Sequence, residues 1–193
     1  MTSSAGNPWR RTASREVYRN AWFSVREDQV IRPDGSPGVY GVVELPAYAG
    51  VVPVREDGKV ALIKQWRYHT GKLSLEIPAG NAAPTDASPQ ESAQRELKEE
   101  TGLTARTWLY LGRIDYSAVT NPGRLFLATN LDVDTTVTDN TNHDDWTELL
   151  WTDYTTAIQL VIDGEMTEST SVTGLLLAET ARLHGRWNLP AAR

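Results

Sequence analysis

Three glutamates in the middle of the chain have a spacing that could bind a metal ion. Glu96, Glu99 and Glu100 lie at positions i, i+3 and i+4, which places their side chains on one face of an α-helix, about one turn deep. Like charges at this spacing repel and weaken a helix unless a positive charge lies between them. Mg²⁺ and Mn²⁺ prefer oxygen ligands. The spacing therefore indicates either a metal site suited to chemistry on phosphates or a solvated acidic helix face.

The helix that would carry these carboxylates is marked at both ends. Ser88 is predicted as its N-cap, with Pro89 at the first helical position and Glu91 at the third, the pattern of a capping box. Gly102 is predicted to end the helix. An ordinary acidic face usually mixes Glu with Lys, whereas two of the three glutamates have no basic residue four positions away. This arrangement favours the metal site.

A short apolar strand precedes this helix. Residues 75–80 read Leu-Glu-Ile-Pro-Ala-Gly, and a loop over residues 81–87 leads into the helix. Strand, glycine turn, loop and acidic helix together resemble the Nudix box, whose pattern is G-x5-E-x7-R-E-U-x-E-E-x-G-U, where U is aliphatic. Gly80 matches the first Gly, and residues 95–103 match the whole second half.

Residues 15–185 resemble one branch of that superfamily, the ADP-ribose pyrophosphatases. The matching elements are residues 17–23, 32–35, 65–68, 75–80 and 162–167. Two features depart from the family pattern. The first Glu of the box is replaced by Asp86 or, if the one-residue insertion lies earlier, by Ala87. In the loop 116–123, Ala118 stands near the position of the branch's usual Pro.

The resemblance implies a metal-dependent hydrolase of a pyrophosphate linkage. Divalent ions, Mg²⁺ or Mn²⁺, would neutralise the phosphates and lower the pKa of a bound water. The expected metal ligands are the backbone carbonyl of Ala79 and the side chains of Glu96, Glu99 and Glu100. Structural support is expected from Gly80, Arg95 and Gly102.

The catalytic group is expected to comprise metal-side carboxylates and a general base. Glu99 and Glu100 are the metal-side candidates. In the ADP-ribose branch, a Glu from a loop after the box often contributes the base. Asp144 or Asp145 lies in such a loop, with Glu148 as the next option. The alternative is that this segment is only a solvated acidic loop.

Substrate binding is expected from four residues of the N-terminal half. Arg67 suits phosphate because a guanidinium grips phosphate oxygens bidentately, and Glu76 follows in the matching element. Trp22 resembles the branch's N-terminal aromatic residue that stacks a nucleobase, although a Trp is as often a core residue. By resemblance the N-terminal strands are shared across a homodimer, which would place Trp22 and Glu44 in the partner's pocket.

The predicted fold class is α/β, with a mixed β-sheet between helices as in the Nudix α/β/α sandwich. Residues 1–14 are predicted to be a flexible tail, residues 15–46 a β-strand extension for dimerisation, and residues 47–193 the Nudix domain. The segment Glu-Asp-Gly at residues 56–58 favours a hairpin between two β-rich stretches. Helical periodicity predicts two further helices, over residues 154–162 and 173–184.

Net charge and composition exclude several classes of binding partner and catalytic site. The net charge is −6 and the sequence pI is about 5.1, which argues against a general nucleic-acid or anionic-membrane surface. The chain has no Cys, so thiolate zinc sites and thiol nucleophiles are excluded. Its first residues have no apolar core for a signal peptide, and no apolar run is long enough to span a bilayer. A cytoplasmic enzyme is expected.

Three functions are compatible with the sequence. The favoured one is hydrolysis of a nucleoside diphosphate sugar, with ADP-ribose first, to AMP and ribose 5-phosphate. The second is the same chemistry on GDP-mannose, UDP-glucose, NADH or a diadenosine polyphosphate. The third is a Nudix-fold ligand-binding module without turnover, for which loss of a metal carboxylate would be the mark. All three glutamates are present.

Overall fold

The computed structural model describes residues 7–133 and 147–190, which form ten strands and three helices. Their order is β1 (Arg10–Arg19), β2 (Ser24–Ile31), β3 (Pro37–Glu44), β4 (Tyr48–Pro53), β5 (Lys59–Arg67), β6 (Lys72–Glu76), β7 (Ala79–Asn81), α1 (Pro89–Thr101), β8 (Leu103–Ile114), β9 (Gly123–Val133), β10 (Thr147–Asp153), α2 (Tyr154–Ile162) and α3 (Ser169–Leu183). No helix among these residues is long and apolar enough to cross a bilayer.

The chain divides into two compact units. The smaller unit comprises Met1–Pro46 and Asp115–Pro122, and the larger unit comprises Ala47–Ile114 and Gly123–Arg193. The smaller unit contains an antiparallel sheet in the order β1-β2-β3. Strand β1 begins at Arg10, so the prediction of a tail through residue 14 is wrong from that residue onward. All ten residues of β1 are exposed, and backbone pairing rather than apolar burial forms the strand, so hydropathy gave no signal.

The larger unit contains two sheets. One has the order β7-β4-β9-β8, in which β4 runs parallel to β9 and the other pairs are antiparallel. The other is antiparallel, in the order β10-β5-β6. The predicted hairpin at residues 56–58 is a tight turn, but only an isolated bridge between Val54 and Val60 continues it. Strands β4 and β5 then belong to different sheets.

Alternating residues of β4 and β9 cover two separate cores. Val51 and Phe126 pack with Ala93 and Leu97 of α1. The intervening residues, including Val52, pack with α3. Because successive strand side chains point to opposite faces, α1 and α3 lie on opposite faces of the four-stranded sheet. The predicted α/β/α arrangement with a mixed sheet is confirmed.

Local capping signals define the limits of α1. The Ser88 hydroxyl accepts the Glu91 N–H at 3.2 Å, and the Glu91 carboxylate accepts the Ala87 N–H at 2.9 Å. At the other end, Gly102 adopts φ 68° and donates its N–H to the Lys98 carbonyl at 2.9 Å. The predicted start and end of this helix are confirmed, and its carboxylates therefore hold a fixed position along it.

The left-handed conformation of Gly102 generates a stability prediction. A side chain in this region costs about 1 kcal/mol because its Cβ crowds the following carbonyl, and Asn tolerates the conformation better than Ala. The free energy of unfolding, measured in urea, should therefore fall in the order wild type, Gly102→Asn, Gly102→Ala. An alanine variant as stable as wild type would contradict this account of the helix end.

Candidate active site

The site is built on the turn between β6 and β7. Glu76 ends β6 and, like Ile77 after it, is only 2% exposed. The Pro78 carbonyl then accepts the Val51 N–H at 2.9 Å. In β7, Gly80 lies opposite Ala49 of β4 in an antiparallel pair. Backbone pairing thus holds this turn against the central sheet, where α1 also packs.

Two carboxylates of α1 lie beside consecutive residues of β7. The Glu100 carboxylate accepts the Ala79 N–H at 2.9 Å. The Glu96 carboxylate occupies the space beside Gly80, where a Cβ would overlap its oxygens. Only glycine therefore allows this close approach of backbone and carboxylate.

Burial makes both carboxyl groups expensive to ionise. Burial raises the pKa of Glu100 to about 8, and the neighbouring Glu96 charge adds to this, while the Ala79 N–H opposes it. Burial also raises the pKa of Glu96, which is 8% exposed. A positive charge placed between two buried acidic groups stabilises their ionised forms. Their electrostatics therefore favour a cation at this place.

Arg95 connects the helix to β7 and to the preceding loop. Its Nη1 lies 2.8 Å from a Glu96 oxygen and 2.8 Å from a Glu99 oxygen. Its Nη2 donates to the Asn81 carbonyl at 2.7 Å and to Asp86 at 3.2 Å. Of the two alternatives for the missing Glu of the box, Asp86 is the residue that contacts the arginine. The guanidinium thus joins three parts of the site.

The donor set of this cluster fits a divalent cation. Carboxylate and backbone oxygens are the ligands that Mg²⁺ and Mn²⁺ prefer, and Gly80 leaves room for Glu96 beside the backbone. Within the described ranges, no three acidic or histidine side chains stand ready to hold an ion as they are. Two of the carboxylates share Arg95, and Glu100 is turned to an amide. Coordination would therefore require these side chains to change rotamer.

Arg67 and Glu76 contact each other directly. The guanidinium makes a bidentate pair with the carboxylate, at 2.8 and 2.5 Å, and Gln65 donates to the same carboxylate at 3.2 Å. Arg67 and Glu76 line a cavity of about 340 Å³ with Lys72 and Glu168. Both predicted residues are thus together, with the arginine oriented by the glutamate.

The remaining candidates belong to other parts of the sequence. Trp22 is 70% exposed on the turn between β1 and β2, where its N–H and that of Phe23 donate to the Asn20 side chain at 2.8 Å. Glu44, also in the smaller unit, accepts from Ser24 at 3.1 Å. Asp144 and Asp145 lie outside the described residues. The alternative base, Glu148, lies in β10 and pairs with Lys64 at 3.4 Å.

The sequence patterns assign no specific contact to two contributors. Asp86 is predicted only as one of two replacements for the box Glu, although a carboxylate nine residues before an Arg suits a loop-to-helix ion pair. Gln65 belongs to a matching element but has no predicted role. It is 6% exposed, and a buried amide needs hydrogen-bond partners. An amide two positions before the arginine on one strand, and so on the same face, was the available signal.

The Asp86–Arg95 contact generates a pH prediction. Hydrogen bonds from Arg95 and from the Ala83 N–H lower the pKa of Asp86 below its usual value. The contact therefore stabilises the fold fully above the unfolded pKa of about 3.9 and progressively less as the pH falls below it. Asp86→Asn should be less stable than wild type at pH 7, and urea titrations at descending pH should show this difference shrinking. A constant difference would contradict an ionic contribution.

Comparison with known proteins identifies the family of this chain. Residues 44–171 match the NUDIX domain family, and residues 9–43 match the nucleoside diphosphate sugar hydrolase N-terminal domain. An ADP-ribose pyrophosphatase of Mycobacterium tuberculosis is 31% identical over 170 residues, covering 85% of this chain and 80% of that protein. An ADP-ribose pyrophosphatase of Bacillus subtilis is 31% identical over 94 residues, about half of each chain (49% and 50%).

A solved structure shares the fold. The crystal structure of an ADP compounds hydrolase superposes with a TM-score of 0.80 at 21% identity, covering 96% of this chain and 100% of that one. The resemblance recognised in the box at residues 80–103 is therefore confirmed over most of the chain. The protein belongs to the Nudix hydrolases and resembles their ADP-ribose pyrophosphatase branch.

Proposed function

We propose that this enzyme hydrolyses the pyrophosphate bond of a nucleoside diphosphate sugar with the help of Mg²⁺ or Mn²⁺. The favoured substrate is ADP-ribose, which would give AMP and ribose 5-phosphate. The observation that carries the proposal is the pair of buried carboxylates, Glu96 and Glu100, against the backbone of Ala79 and Gly80. The likeness to the mycobacterial ADP-ribose pyrophosphatase supports the choice of substrate.

The acidic cluster supplies what pyrophosphate hydrolysis needs. A divalent cation held by Glu96, Glu99, Glu100 and the Ala79 carbonyl would neutralise phosphate charge and make water a better nucleophile. The residues themselves contribute hard oxygen donors and a low-dielectric setting, which strengthens the attraction for a cation. Arg95 would keep α1 and β7 in register while the carboxylates turn.

The cavity beside β6 suits the anionic part of such a substrate. Arg67, His69 and Lys72 line it, and all three can donate to phosphate oxygens. Glu76 holds the Arg67 guanidinium in one orientation, which reduces the entropy lost on binding. Trp22 and Glu44 would contribute to base recognition.

A general base and a homodimer complete the proposed enzyme. Asp144 or Asp145, which directly precede β10 in the sequence, would accept the proton from the attacking water. A homodimer through residues 15–46 would bring Trp22 and Glu44 to the partner's pocket. The exposed strand β1 supports pairing, since its outer edge has backbone groups available. The cytoplasm is the expected location.

One observation favours a second substrate. Ala118 has φ 63°, a conformation that the ring of proline forbids. Its loop, residues 115–122, therefore differs in backbone from one that carries a proline at this position. Another nucleoside diphosphate sugar, such as GDP-mannose or UDP-glucose, would be hydrolysed by the same metal chemistry with a different base or sugar contact.

A phosphate-release screen tests the substrate. ADP-ribose, GDP-mannose, UDP-glucose, NADH and diadenosine polyphosphates would be incubated with Mg²⁺ or Mn²⁺ and a coupling phosphatase. The highest kcat/KM should be for ADP-ribose. Preference for another substrate would retain the chemistry and overturn the choice of ADP-ribose, whereas no turnover of any substrate would count against hydrolysis.

Glu100→Gln should lower turnover on the order of a hundred-fold or more, because it removes a ligand charge. The fold should survive, since burial already disfavours the charged form of Glu100. Glu56→Gln, an exposed turn residue, is the matched control and should keep full activity. Thermal unfolding of both variants would separate chemistry from stability. Near-normal turnover by Glu100→Gln would contradict the metal assignment.

The pairing of Arg67 with Glu76 calls for a double-mutant cycle. Arg67→Ala leaves a buried carboxylate without its cationic partner, so it should lose about 3 kcal/mol of unfolding free energy. Adding Glu76→Gln should restore most of that stability.

The KM values of these variants distinguish two roles for Arg67. If it binds phosphate, the double variant should keep a KM about ten-fold or more above that of Glu76→Gln alone. If it only neutralises Glu76, the double variant and Glu76→Gln should have the same KM, which would contradict the phosphate role.

A further inference from the structure

We propose that Glu168 and Ser171, at the start of α3, are positioning residues that hold the β6–β7 turn in the shape that binds the cation. This inference rests on the proposed function and deepens it. Neither residue belongs to the Nudix box, and neither contacts the α1 carboxylates through a hydrogen bond in the described structure. Their influence would pass through the backbone of the turn.

A two-step hydrogen-bond chain joins α3 to the turn. The Ile77 N–H donates to the Ser171 hydroxyl oxygen at 3.0 Å, between residues 94 positions apart. The Ser171 hydroxyl in turn donates to Glu168 Oε2 at 2.7 Å. Ile77 stands between Glu76 and Pro78, two residues before Ala79. The chain thus reaches the peptide group next to the candidate substrate and metal residues.

Glu168 orients this chain. Its Oε1 accepts the Thr170 N–H at 2.9 Å, and its Oε2 accepts the Ser171 N–H at 2.8 Å. Burial raises the pKa of Glu168, but these hydrogen bonds outweigh that effect and bring the pKa below its usual value, so the group is ionised at neutral pH. An ionised carboxylate only accepts. The Ser171 proton must therefore point to Glu168, which leaves the oxygen lone pairs for Ile77.

The link between Ile77 and Ser171 is buried, whereas Glu168 borders the cavity beside β6. Ser171 is 0%, Ile77 2% and Thr170 3% exposed. The helix also lies close to its neighbours: a Cβ built on Gly174 would lie 2.8 Å from the Ile77 side chain. Bulk water cannot take the place of the Ser171 hydroxyl. If the hydroxyl were removed, the Ile77 N–H would lose its partner, and a buried unpaired donor is costly enough to make the backbone move.

Two peptide groups of the turn are thus held from different sides. Ser171 accepts the N–H of the Glu76–Ile77 peptide. The Pro78–Ala79 peptide is held at both ends, because its carbonyl accepts the Val51 N–H and its N–H donates to Glu100. Fixing these two groups restricts the Ala79–Gly80 peptide that follows, whose carbonyl is the proposed ligand. Glu168 and Ser171 therefore preorganise the backbone donor, as outer-shell groups do for side-chain ligands.

The test is Mn²⁺ binding to the resting protein, followed by electron paramagnetic resonance without substrate. Ser171→Ala should raise the Mn²⁺ dissociation constant about ten-fold, the effect of losing an outer-shell support. Glu168→Gln should raise it in the same direction and carries the test if Ser171→Ala does not fold. In both variants the Mg²⁺ concentration for half-maximal activity should rise in parallel. In Ser171→Ala, which does not line the cavity beside β6, KM for substrate at saturating Mg²⁺ should change less.

Ala178→Gly is the matched control. It weakens the same helix at a fully buried position without touching the chain, so it should lower the melting temperature and keep wild-type Mn²⁺ affinity. Wild-type affinity in folded Ser171→Ala would overturn the inference, as would an equal loss in Ala178→Gly. Wild-type protein that binds no Mn²⁺ would overturn the proposed metal site itself, and the inference with it.

Discussion

The structure depends on bringing two carboxylates of one helix against a bare stretch of backbone. Glu96 reaches β7 only because Gly80 has no side chain, and Glu100 is held there by an amide hydrogen bond. Desolvation opposes this arrangement, as the raised pKa values of both groups indicate. The rest of the larger unit supplies the packing that offsets the cost, through Ala93 and Leu97 on the buried side of α1.

The central strand β4 contacts a helix on each face of its sheet. Val51 packs towards α1 while its N–H holds the turn, and Val52 packs towards α3. A displacement of either helix would therefore shift the same few backbone atoms. Since packed interiors have little free space, the turn between β6 and β7 has little freedom to adopt another shape. Rigidity at this point comes from two helices that are far apart in sequence.

Local signals explain which parts of this arrangement were predictable. The ends of α1 follow from Ser88 and Gly102, because capping acts within a few residues, and α2 was predicted with its observed limits, residues 154–162. Helix α3 begins at Ser169, whereas residue 173 was the predicted start. The prediction missed the first turn because this turn is polar in sequence yet buried in the fold. Propensity alone cannot anticipate a turn that is stabilised by contacts with a distant strand.

Contacts between residues that are distant in the sequence were not predictable from local patterns. The turn at residues 56–58 resembles a hairpin, but β4 and β5 belong to different sheets, and each contributes side chains to both cores. The bond between Ile77 and Ser171 joins positions 94 residues apart, and no periodicity reports it. Similarly, the pairing of Arg67 with Glu76 depends on the register of β5 and β6. The chemistry of the cluster was readable from residue types, whereas its supports were not.

The shared contact of Arg95 with Glu96 and Glu99 bears on the order of folding and metal uptake. The guanidinium is an internal counter-ion for these two carboxylates in the folded protein. Neutralising them in the fold therefore does not require a bound metal ion. The cation proposed for this site would exchange one positive charge for another within a finished scaffold, rather than take part in its assembly.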